Sequence, residues 1–266
     1  MVQIAGILNV TPDSFSDGGN FVSSSAAVER GLAMHEEGAD WIDVGGESTR
    51  PGSESVGAKE ECRRVLPVVS ALAEAGLSVS IDTQKPLVAR EALAAGASVV
   101  NDVNGLRAEG MLEVIAQAGA GAVIMHMRGT PKTMQDNIRY GNLIDEVKGF
   151  LKTQLLEARA VGIDPIWLDP GIGFGKSVEQ NCLLIAHLRH FKAMGAPIYV
   201  GASRKSFIGR LTGAETPQAR LPGSLGAAVA AAEAGADVLR VHDVKETWAT
   251  IKVWEAVRSS RPQSGL

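Results

Sequence analysis

The amino-acid sequence predicts a single α/β domain folded as a (β/α)8 TIM barrel, with the active site at the C-terminal ends of the strands. Short apolar runs, typical of strands buried in a parallel sheet, alternate eight times with helical patterns at fairly even spacing. Neither a linker nor a shift in composition divides residues 1–266, so we expect one domain. An open, doubly wound sheet is the structural alternative, because it is built from the same repeating unit.

Each predicted strand ends in polar or charged residues that are followed by a turn rich in glycine or proline. In the second strand the apolar run contains one carboxylate, Asp43, and stops at Gly45 and Gly46. In chain order, we predict the strands at residues 3–8, 41–44, 78–82, 98–101, 122–125, 165–168, 197–200 and 237–241. In a closed barrel all these ends meet at one mouth, so the polar residues should share one pocket.

The helices are predicted from their start signals and their periodicity. A serine run suited to N-capping opens the first helix near Ser24, and Pro86 falls in the first turn of the third. Cys62 and Cys182 lie in helical stretches and match no metal-binding spacing, so we expect free, buried thiols in a reducing compartment. Helices are assigned to residues 24–37, 58–75 and 245–257, with an alanine-rich helix after residue 221.

The composition is that of an ordinary globular protein with a large core, at 45% hydrophobic and 21% charged residues. A formal net charge of -4 argues against generic binding to nucleic acid or to an anionic membrane. The sequence shows no signal peptide at its start and no long uncharged apolar run. It therefore predicts a cytoplasmic protein that does not enter a membrane.

Polar side chains at the ends of four different predicted strands form the first candidate binding set. They are Asp82, Asn101, Asp169 and Lys205. Two carboxylates, an amide and an ammonium offer both acceptors and donors, which recognition of a flat, polar heterocycle requires. A carboxylate can accept from an amino group and an adjacent ring N–H together. The alternative is that some of these groups are buried structural ion pairs or caps.

Asn9, Arg240 and His242 form a second set, because the first and last strands of a closed barrel are neighbours. Arginine with histidine suits a multiply charged anion such as a diphosphate. The Asn9 oxygen could ligate a hard cation, Mg²⁺, that bridges the oxygens of that anion. In the alternative interpretation, His242 is a supporting group partnered by Asp243.

Two further stretches are candidates for walls of the pocket. The glycine-rich stretch after the sixth strand contains Lys176, but Pro170 stands where a P-loop requires glycine, so that interpretation fails. We expect its glycines instead to let the loop lie against a flat ligand, with Phe174 as one wall. Ser206, where a helix should begin, could receive a substrate carboxylate or simply cap the helix. His126 is interpreted as a structural histidine rather than a base.

Together these motifs resemble those of the dihydropteroate synthases, a family of pterin-binding enzymes. The resemblance covers nearly the whole chain, in order and at every strand end. It is carried by residues 6–19, 42–52, 81–83, 85–86, 101–103, 125–127, 129–135, 169–176, 203–206 and 240–244. The resemblance implies transfer of a dihydropterin methyl group from its diphosphate ester to the amine of 4-aminobenzoate. It also implies Mg²⁺ as cofactor and a homodimer.

The resemblance further implies a role for each matching residue. The first binding set would hold the pterin ring, and Arg240 and His242 would hold the diphosphate, with Asn9 on the metal. The residues expected to act in catalysis are Asp82, Lys205, Arg240 and His242. Loops 11–20 and 45–56 would close over the aminobenzoate. The remaining residues expected to bind substrate are Phe15, Thr49, Arg50, Pro51, Met125, Phe174 and Ser206.

The mechanism and two rival functions stay open at this point. The sequence offers no nucleophile beside a general base, so the hypothesis is SN1-like loss of diphosphate without a covalent enzyme intermediate. One rival is an enzyme that transfers a methyl group from methyltetrahydrofolate to a corrinoid protein, and the other is a non-catalytic pterin-binding module.

Two further expectations follow from the resemblance. Sulfonamide-insensitive relatives alter the loop after the second strand, whereas residues 46–52 keep the family sequence here, so we expect sensitivity to sulfonamides. Family members commonly carry a leading segment under the barrel, so we expect a shorter branch or another cover here.

Overall fold

The computed structural model describes residues 1–11, 20–48, 55–130, 132–134 and 138–260 of the chain. Parallel strands alternate with helices in this part of the chain, as the sequence predicts. The strands are β1 (Gln3–Asn9), β2 (Trp41–Gly45), β3 (Val79–Asp82), β4 (Val99–Asp102), β5 (Gly121–Met125), β6 (Ile166–Asp169), β7 (Tyr199–Val200) and β8 (Val238–Val241).

The eight strands form one sheet that closes into a barrel. Their order is β6-β5-β4-β3-β2-β1-β8-β7, so β1 pairs with both β2 and β8. The two outer strands, β6 and β7, meet through a parallel bridge between Leu168 and Ile198. In addition, the Leu168 amide donates to the Pro197 carbonyl oxygen at 2.9 Å. This closure confirms the predicted barrel and excludes the open, doubly wound sheet.

The helices surround the barrel, and most follow the predicted positions. Pro86 occupies the first turn of its helix, as expected. They are α1 (Asn20–Glu36), α2 (Ala58–Glu74), α3 (Pro86–Ala94), α4 (Met111–Ala118), α5 (Leu143–Ala160), α6 (Val178–Ala186), α7 (Leu188–Lys192), α8 (Ser206–Thr212), α9 (Leu221–Ala234) and α10 (Val244–Ser259). Among the described residues, no helix has both the length and the apolar character needed to cross a membrane.

Two local predictions about helices are wrong. α1 begins at Asn20, so Ser24 lies inside the helix instead of capping it. Both described cysteines are free, but Cys62 on α2 is only half-buried and Cys182 on α6 is exposed. The helical pattern placed the cysteines on helices correctly, whereas the face that each helix turns to the barrel depends on packing.

The lower half of the barrel interior is filled by three large aromatic side chains, which we call the aromatic floor. Trp41, Trp167 and Tyr199 pack together near the starts of their strands, with ring centroids 4.9 Å apart for the two tryptophans and 5.7 Å for Trp41 and Tyr199. Gly121 provides room, because a Cβ there would lie 3.0 Å from the Trp167 ring. A ligand inside the barrel must therefore bind above this floor.

A layer of polar side chains lies directly above the aromatic floor. Successive strand residues point to opposite faces, so the residue two positions after an inward-facing one also faces the interior. In β2, β4, β6 and β8 these next inward residues are Asp43, Asn101, Asp169 and Arg240. We call these four the polar layer. The alternation of side chains along each strand thus brings polar and ionisable groups to the centre of the barrel mouth.

Substitution of Tyr199 by phenylalanine is expected to raise the free energy of unfolding by up to about 1 kcal/mol. The Tyr199 hydroxyl is buried and has no hydrogen-bond partner among the described residues, so its removal relieves an unfavourable burial. Tyr140 is the matched control, because its hydroxyl donates to the Gly175 carbonyl oxygen at 3.1 Å and Tyr140→Phe should be destabilising. Urea unfolding of both variants tests this; equal losses of stability would contradict it.

Candidate active site

Arg240 is the centre of a buried ion-pair network at the mouth of the barrel. Its Nε lies 2.5 Å from Asp43 Oδ2 and its Nη2 lies 2.5 Å from Asp82 Oδ2. Asp43 is fully buried and also accepts from Ser80 Oγ at 2.6 Å and from Asn101 Nδ2 at 3.1 Å. Burial alone would lower the pKa of Arg240, but Asp43 and Asp82 raise it above its usual range. The guanidinium therefore stays charged and fixed in place.

Asp82 keeps one carboxylate oxygen for a ligand. Its Oδ2 is paired with Arg240, whereas its buried Oδ1 has no hydrogen-bond partner among the described residues. Burial raises the pKa of Asp82 to about 7, although Arg240 opposes the shift. A buried acceptor without a donor is unfavourable unless a ligand supplies one. Asp82 Oδ1 is therefore a candidate ligand contact.

Asp169 and Lys205 face each other across the same mouth. The Gly171 amide donates to Asp169 Oδ1 at 2.7 Å. Burial raises the pKa of Asp169 to about 6, while the Gly171 amide and Lys205 oppose the shift. Burial and the charge of Arg240 lower the pKa of Lys205 to about 8. Lys205 Nζ also lies 3.9 Å from the centroid of the Phe174 ring, so the aromatic side chain covers the ammonium.

His242 lies beside this network, at the lip between β1 and β8. Its Nδ1 is 3.1 Å from Ser203 Oγ, and burial together with Arg240 lowers its pKa to about 3, so the imidazole is neutral. Asp243 pairs with Arg204 at 2.5 Å and not with His242, so the alternative in which Asp243 partners His242 is wrong. A cavity of about 410 Å³ opens here, lined in part by Asn9, Arg30, Glu37, Arg204, His242 and Lys245.

A tight turn after β7 sets the positions of Ser203 and Lys205. Arg204 between them has a left-handed backbone, with φ 57°. Its amide donates to Ser224 Oγ at 2.9 Å, and its carbonyl oxygen accepts from Arg220 Nη1 at 3.0 Å. These contacts hold a conformation that is unfavourable for a non-glycine residue. The turn sends Ser203 toward His242 and Lys205 toward Phe174.

The loop after β2 starts from an anchored base. Arg64 Nη1 donates to the Gly46 carbonyl oxygen at 3.0 Å, and Lys85 pairs with both Glu47 and the buried Glu61. This arrangement fixes the first residues beyond the strand. The mouth as a whole combines carboxylate acceptors, cationic donors and an aromatic wall above a closed floor, which suits a flat heterocycle carrying an anionic group.

The sequence pattern that defines the pterin-binding enzyme family matches residues 5–242 of the chain. The chain belongs to the pterin-binding enzyme family. Dihydropteroate synthase of Escherichia coli strain K12 is 46% identical over 262 residues, which is 97% of this chain and 93% of that protein. The Xanthomonas albilineans dihydropteroate synthase structure with 4-aminobenzoic acid has a TM-score of 0.91 and 47% identity, covering 97% and 93% of the two chains. Its complex with 7,8-dihydropteroate has a TM-score of 0.87 and 44% identity, covering 97% and 94%.

Within this pterin-binding enzyme, the predicted site residues fall into three groups. Asp82, Asn101, Asp169, Lys205 and Arg240 surround one mouth, with Asn9 and His242 at its lip. Met125 packs in a small buried cluster with Phe174, beside the mouth, and Ser206 is exposed at the first position of α8. The other predicted residues lie outside the described part of the chain, namely Phe15, Thr49, Arg50 and Pro51.

The sequence-based interpretation of this pterin-binding enzyme missed three supporting residues. Asp43, Ser80 and Ser203 contact the predicted site residues but were not assigned to the site. A signal for Asp43 was present, because a carboxylate inside an otherwise apolar strand is unfavourable without a partner. Ser80 and Ser203 carry no such signal, since serine occurs freely in strands and turns.

Proposed function

We propose that the chain condenses (7,8-dihydropterin-6-yl)methyl diphosphate with 4-aminobenzoate to give 7,8-dihydropteroate and diphosphate. The observation that carries this proposal is the buried Asp82 Oδ1, which has no hydrogen-bond partner in the described part of the chain, in a mouth that also contains Asp169, Lys205 and Arg240. A dihydropterin offers the flat face and adjacent N–H donors that such carboxylates can accept from. The matching relatives, which carry this activity in their names, support the proposal.

Recognition of the pterin follows from the fixed orientation of Asn101. Its Nδ2 donates to Asp43, which can only accept, so its Oδ1 is left for the ligand. Asn101, Asp82 and Asp169 would thus accept from the amino and ring N–H groups of the pterin. Lys205 would donate to its carbonyl oxygen or ring nitrogen. The resemblance implied that these four residues hold the pterin ring, and the contacts of Asn101 add which of its atoms would accept.

The diphosphate is proposed to lie against Arg240 and His242. Arg240 uses its Nε and Nη2 for carboxylates, so the N–H groups of Nη1 remain for an anion. His242 is neutral and would donate one hydrogen bond from the ring nitrogen that does not contact Ser203. Both groups are held before the substrate binds, so stabilisation of the departing diphosphate needs little rearrangement.

Mg²⁺ is the proposed cofactor, and Asn9 is its proposed protein ligand. The described residues contain no cluster of three or more His, Cys, Asp and Glu side chains that could hold a metal alone. An amide oxygen next to a diphosphate site fits Mg²⁺, which is often bound by one or two protein oxygens together with substrate phosphates and water. When bound, the ion neutralises charge on the leaving diphosphate.

Carbon–nitrogen bond formation is proposed to follow loss of diphosphate, in an SN1-like reaction. Loss of the diphosphate leaves positive charge on the pterin methyl group and ring. The buried carboxylates of Asp82 and Asp169 would stabilise that charge at short range. The amine of 4-aminobenzoate would then attack the exposed methylene carbon, and its nitrogen would lose a proton to water or to the departing diphosphate. Phe174 would form one wall of the aminobenzoate pocket.

The decisive test measures diphosphate release and dihydropteroate formation with Mg²⁺, with and without 4-aminobenzoate. Amine-stimulated release with formation of dihydropteroate is the expected result. Tight pterin binding without any release would instead favour the corrinoid methyltransferase, which an assay of methyl transfer from methyltetrahydrofolate would then test. Absence of both activities would indicate a non-catalytic pterin-binding module.

A sulfonamide is also expected to compete with 4-aminobenzoate for binding to the chain.

Binding of 6-hydroxymethyl-7,8-dihydropterin is expected to weaken as the pH falls from 8 to 5, by roughly tenfold per pH unit between about 7 and about 6 and more steeply below about 6, where both carboxylates are protonated. The pKa of Asp82 is raised to about 7 and that of Asp169 to about 6, so both gain protons in this window and lose acceptor capacity. This ligand has no diphosphate whose own ionisation would interfere. Titration calorimetry at each pH tests this. In the Asp82→Asn variant, the affinity should no longer change between about pH 8 and pH 6.

A homodimer in the cytoplasm completes the proposal. Large apolar side chains on α10 are exposed, including Trp248, Val253 and Val257, and such a face suits a partner subunit. The molar mass in solution, measured by sedimentation equilibrium, tests the dimer. A mass of one chain across the micromolar range would contradict it.

A further inference from the structure

The Lys176 ammonium is buried in the loop between β6 and α6, surrounded by acceptors. Its Nζ lies 2.9 Å from the carbonyl oxygens of Gly171 and Phe174 and 3.3 Å from that of His126. The Nδ1 atom of His126 is a fourth neighbour, at 3.1 Å. An ammonium has only donors, so His126 Nδ1 accepts and its proton is on Nε2. The lysine thus joins the end of β5 to the loop after β6.

The charge on Lys176 is compatible with this arrangement. Burial lowers its pKa to about 7, while the Asp169 carboxylate opposes the shift and Lys205 adds to it. The surrounding carbonyl oxygens also favour the ammonium form. His126 remains neutral, because burial and Lys176 lower its pKa to about 3. His126 therefore adds no positive charge beside the ammonium.

The loop that Lys176 holds is pressed against its neighbours at two points. Gly171 has φ 73°, and a Cβ at this position would lie 1.8 Å from the His126 carbonyl oxygen. Gly173 has φ 82°, and a Cβ there would lie 2.8 Å from the Lys205 side chain. Phe174 follows directly and covers Lys205 Nζ. One side of the loop therefore contacts Lys176 and His126, and the other side contacts the candidate active site.

We infer that Lys176 is a positioning residue for the 4-aminobenzoate pocket. Its ammonium draws the Gly171 and Phe174 carbonyl oxygens to one point, which presents the Phe174 ring to Lys205. Without the ammonium, these carbonyl groups lose their buried donor, and the loop must turn them toward other partners. Phe174 then moves away from Lys205. The identity of the ligand in this pocket rests on the proposed function, whereas the link between Lys176 and Phe174 does not.

The kinetic test is a double-mutant cycle of Lys176→Met and Phe174→Ala. Each single variant should raise the KM for 4-aminobenzoate about tenfold and change kcat and the KM for the pterin substrate by less than about threefold. Because Lys176 acts through Phe174, the double variant should be no worse than Phe174→Ala alone. Additive effects would overturn the inference. Lys152→Met, on an exposed position of α5, is the control and should leave both KM values unchanged.

A structural test is independent of the reaction. In a crystal structure of Lys176→Met, the centroid of the Phe174 ring should lie beyond about 6 Å from Lys205 Nζ, outside the range of a cation–π contact. A distance unchanged from 3.9 Å would overturn the inference even if the wild-type chain forms dihydropteroate. Wild-type protein that forms no dihydropteroate would instead overturn the proposed function. Should Lys176→Met not fold, Lys176→Gln keeps a donor and should show the same shift to a smaller extent.

Discussion

The Asp43→Asn variant is expected to have a kcat/KM for the dihydropterin diphosphate at least about a hundredfold below that of the wild type. Asp43 accepts from Ser80, Asn101 and Arg240 without access to water. Asparagine has the same shape and can keep its oxygen toward Arg240 and Asn101, with its NH₂ group toward the Ser80 hydroxyl, but it carries no charge. The buried Arg240 guanidinium then loses one of the two carboxylates that it pairs with, so it is held less firmly in the position from which it is proposed to bind diphosphate.

The same substitution should destabilise the fold, because a buried ion pair that loses one partner costs about 3–5 kcal/mol. Steady-state kinetics and thermal unfolding of the same preparation separate the two effects. Asp164→Asn is the matched control, since Asp164 is exposed in the connection between α5 and β6 and should change neither property. If Asp43→Asn keeps its kcat/KM within about threefold of the wild type, Asp82 alone would be sufficient to position Arg240.

The Gly171→Ala variant is expected to be less stable by at least about 4 kcal/mol. Its new Cβ would lie 1.8 Å from the backbone oxygen of His126, so the conflict cannot be relieved by rotating a side chain. The positive φ of 73° adds about 1 kcal/mol of strain. Aminobenzoate binding should weaken as well, because the loop that carries Phe174 has to move.

Gly195→Ala separates the steric conflict from the backbone strain. Gly195 has nearly the same φ, 76°, but no atom of the described residues lies within 4 Å of the position of its Cβ. Urea unfolding should therefore show a loss of only about 1 kcal/mol for this variant. Equal losses for both variants would mean that the loop after β6 yields to the added carbon without losing stability.

Much of the fold was predictable because strands and helices carry different local periods. Apolar runs ending in polar residues located all eight strands to within a few residues. Once a barrel was predicted, Asp82, Asn101, Asp169 and Lys205 had to converge, because strand ends meet at one mouth. Those predictions depended on local pattern and on topology, and both are present in the sequence.

The side-chain partners within the site were not predictable, because they depend on contacts between residues far apart in the chain. In the alternative interpretation of His242, Asp243 was its partner, but β8 has already ended at Val241, and the Asp243 side chain pairs with Arg204 instead. The sequence excluded a P-loop around Lys176 but did not show what its ammonium binds, which is a set of carbonyl oxygens that includes one from the end of another strand. Side-chain direction after a strand depends on the turn, which sequence adjacency does not determine.

Because of the aromatic floor, strands and loops control different parts of the specificity of the enzyme. Trp41, Trp167 and Tyr199 belong to strands whose hydrogen bonding fixes their height, so the depth at which a heterocycle stops is set by the sheet. The loops that are proposed to close over 4-aminobenzoate do not set that depth. Substitutions in the loops can therefore alter the affinity for the amine or its competitors while the pterin keeps its position, and the two affinities can evolve separately.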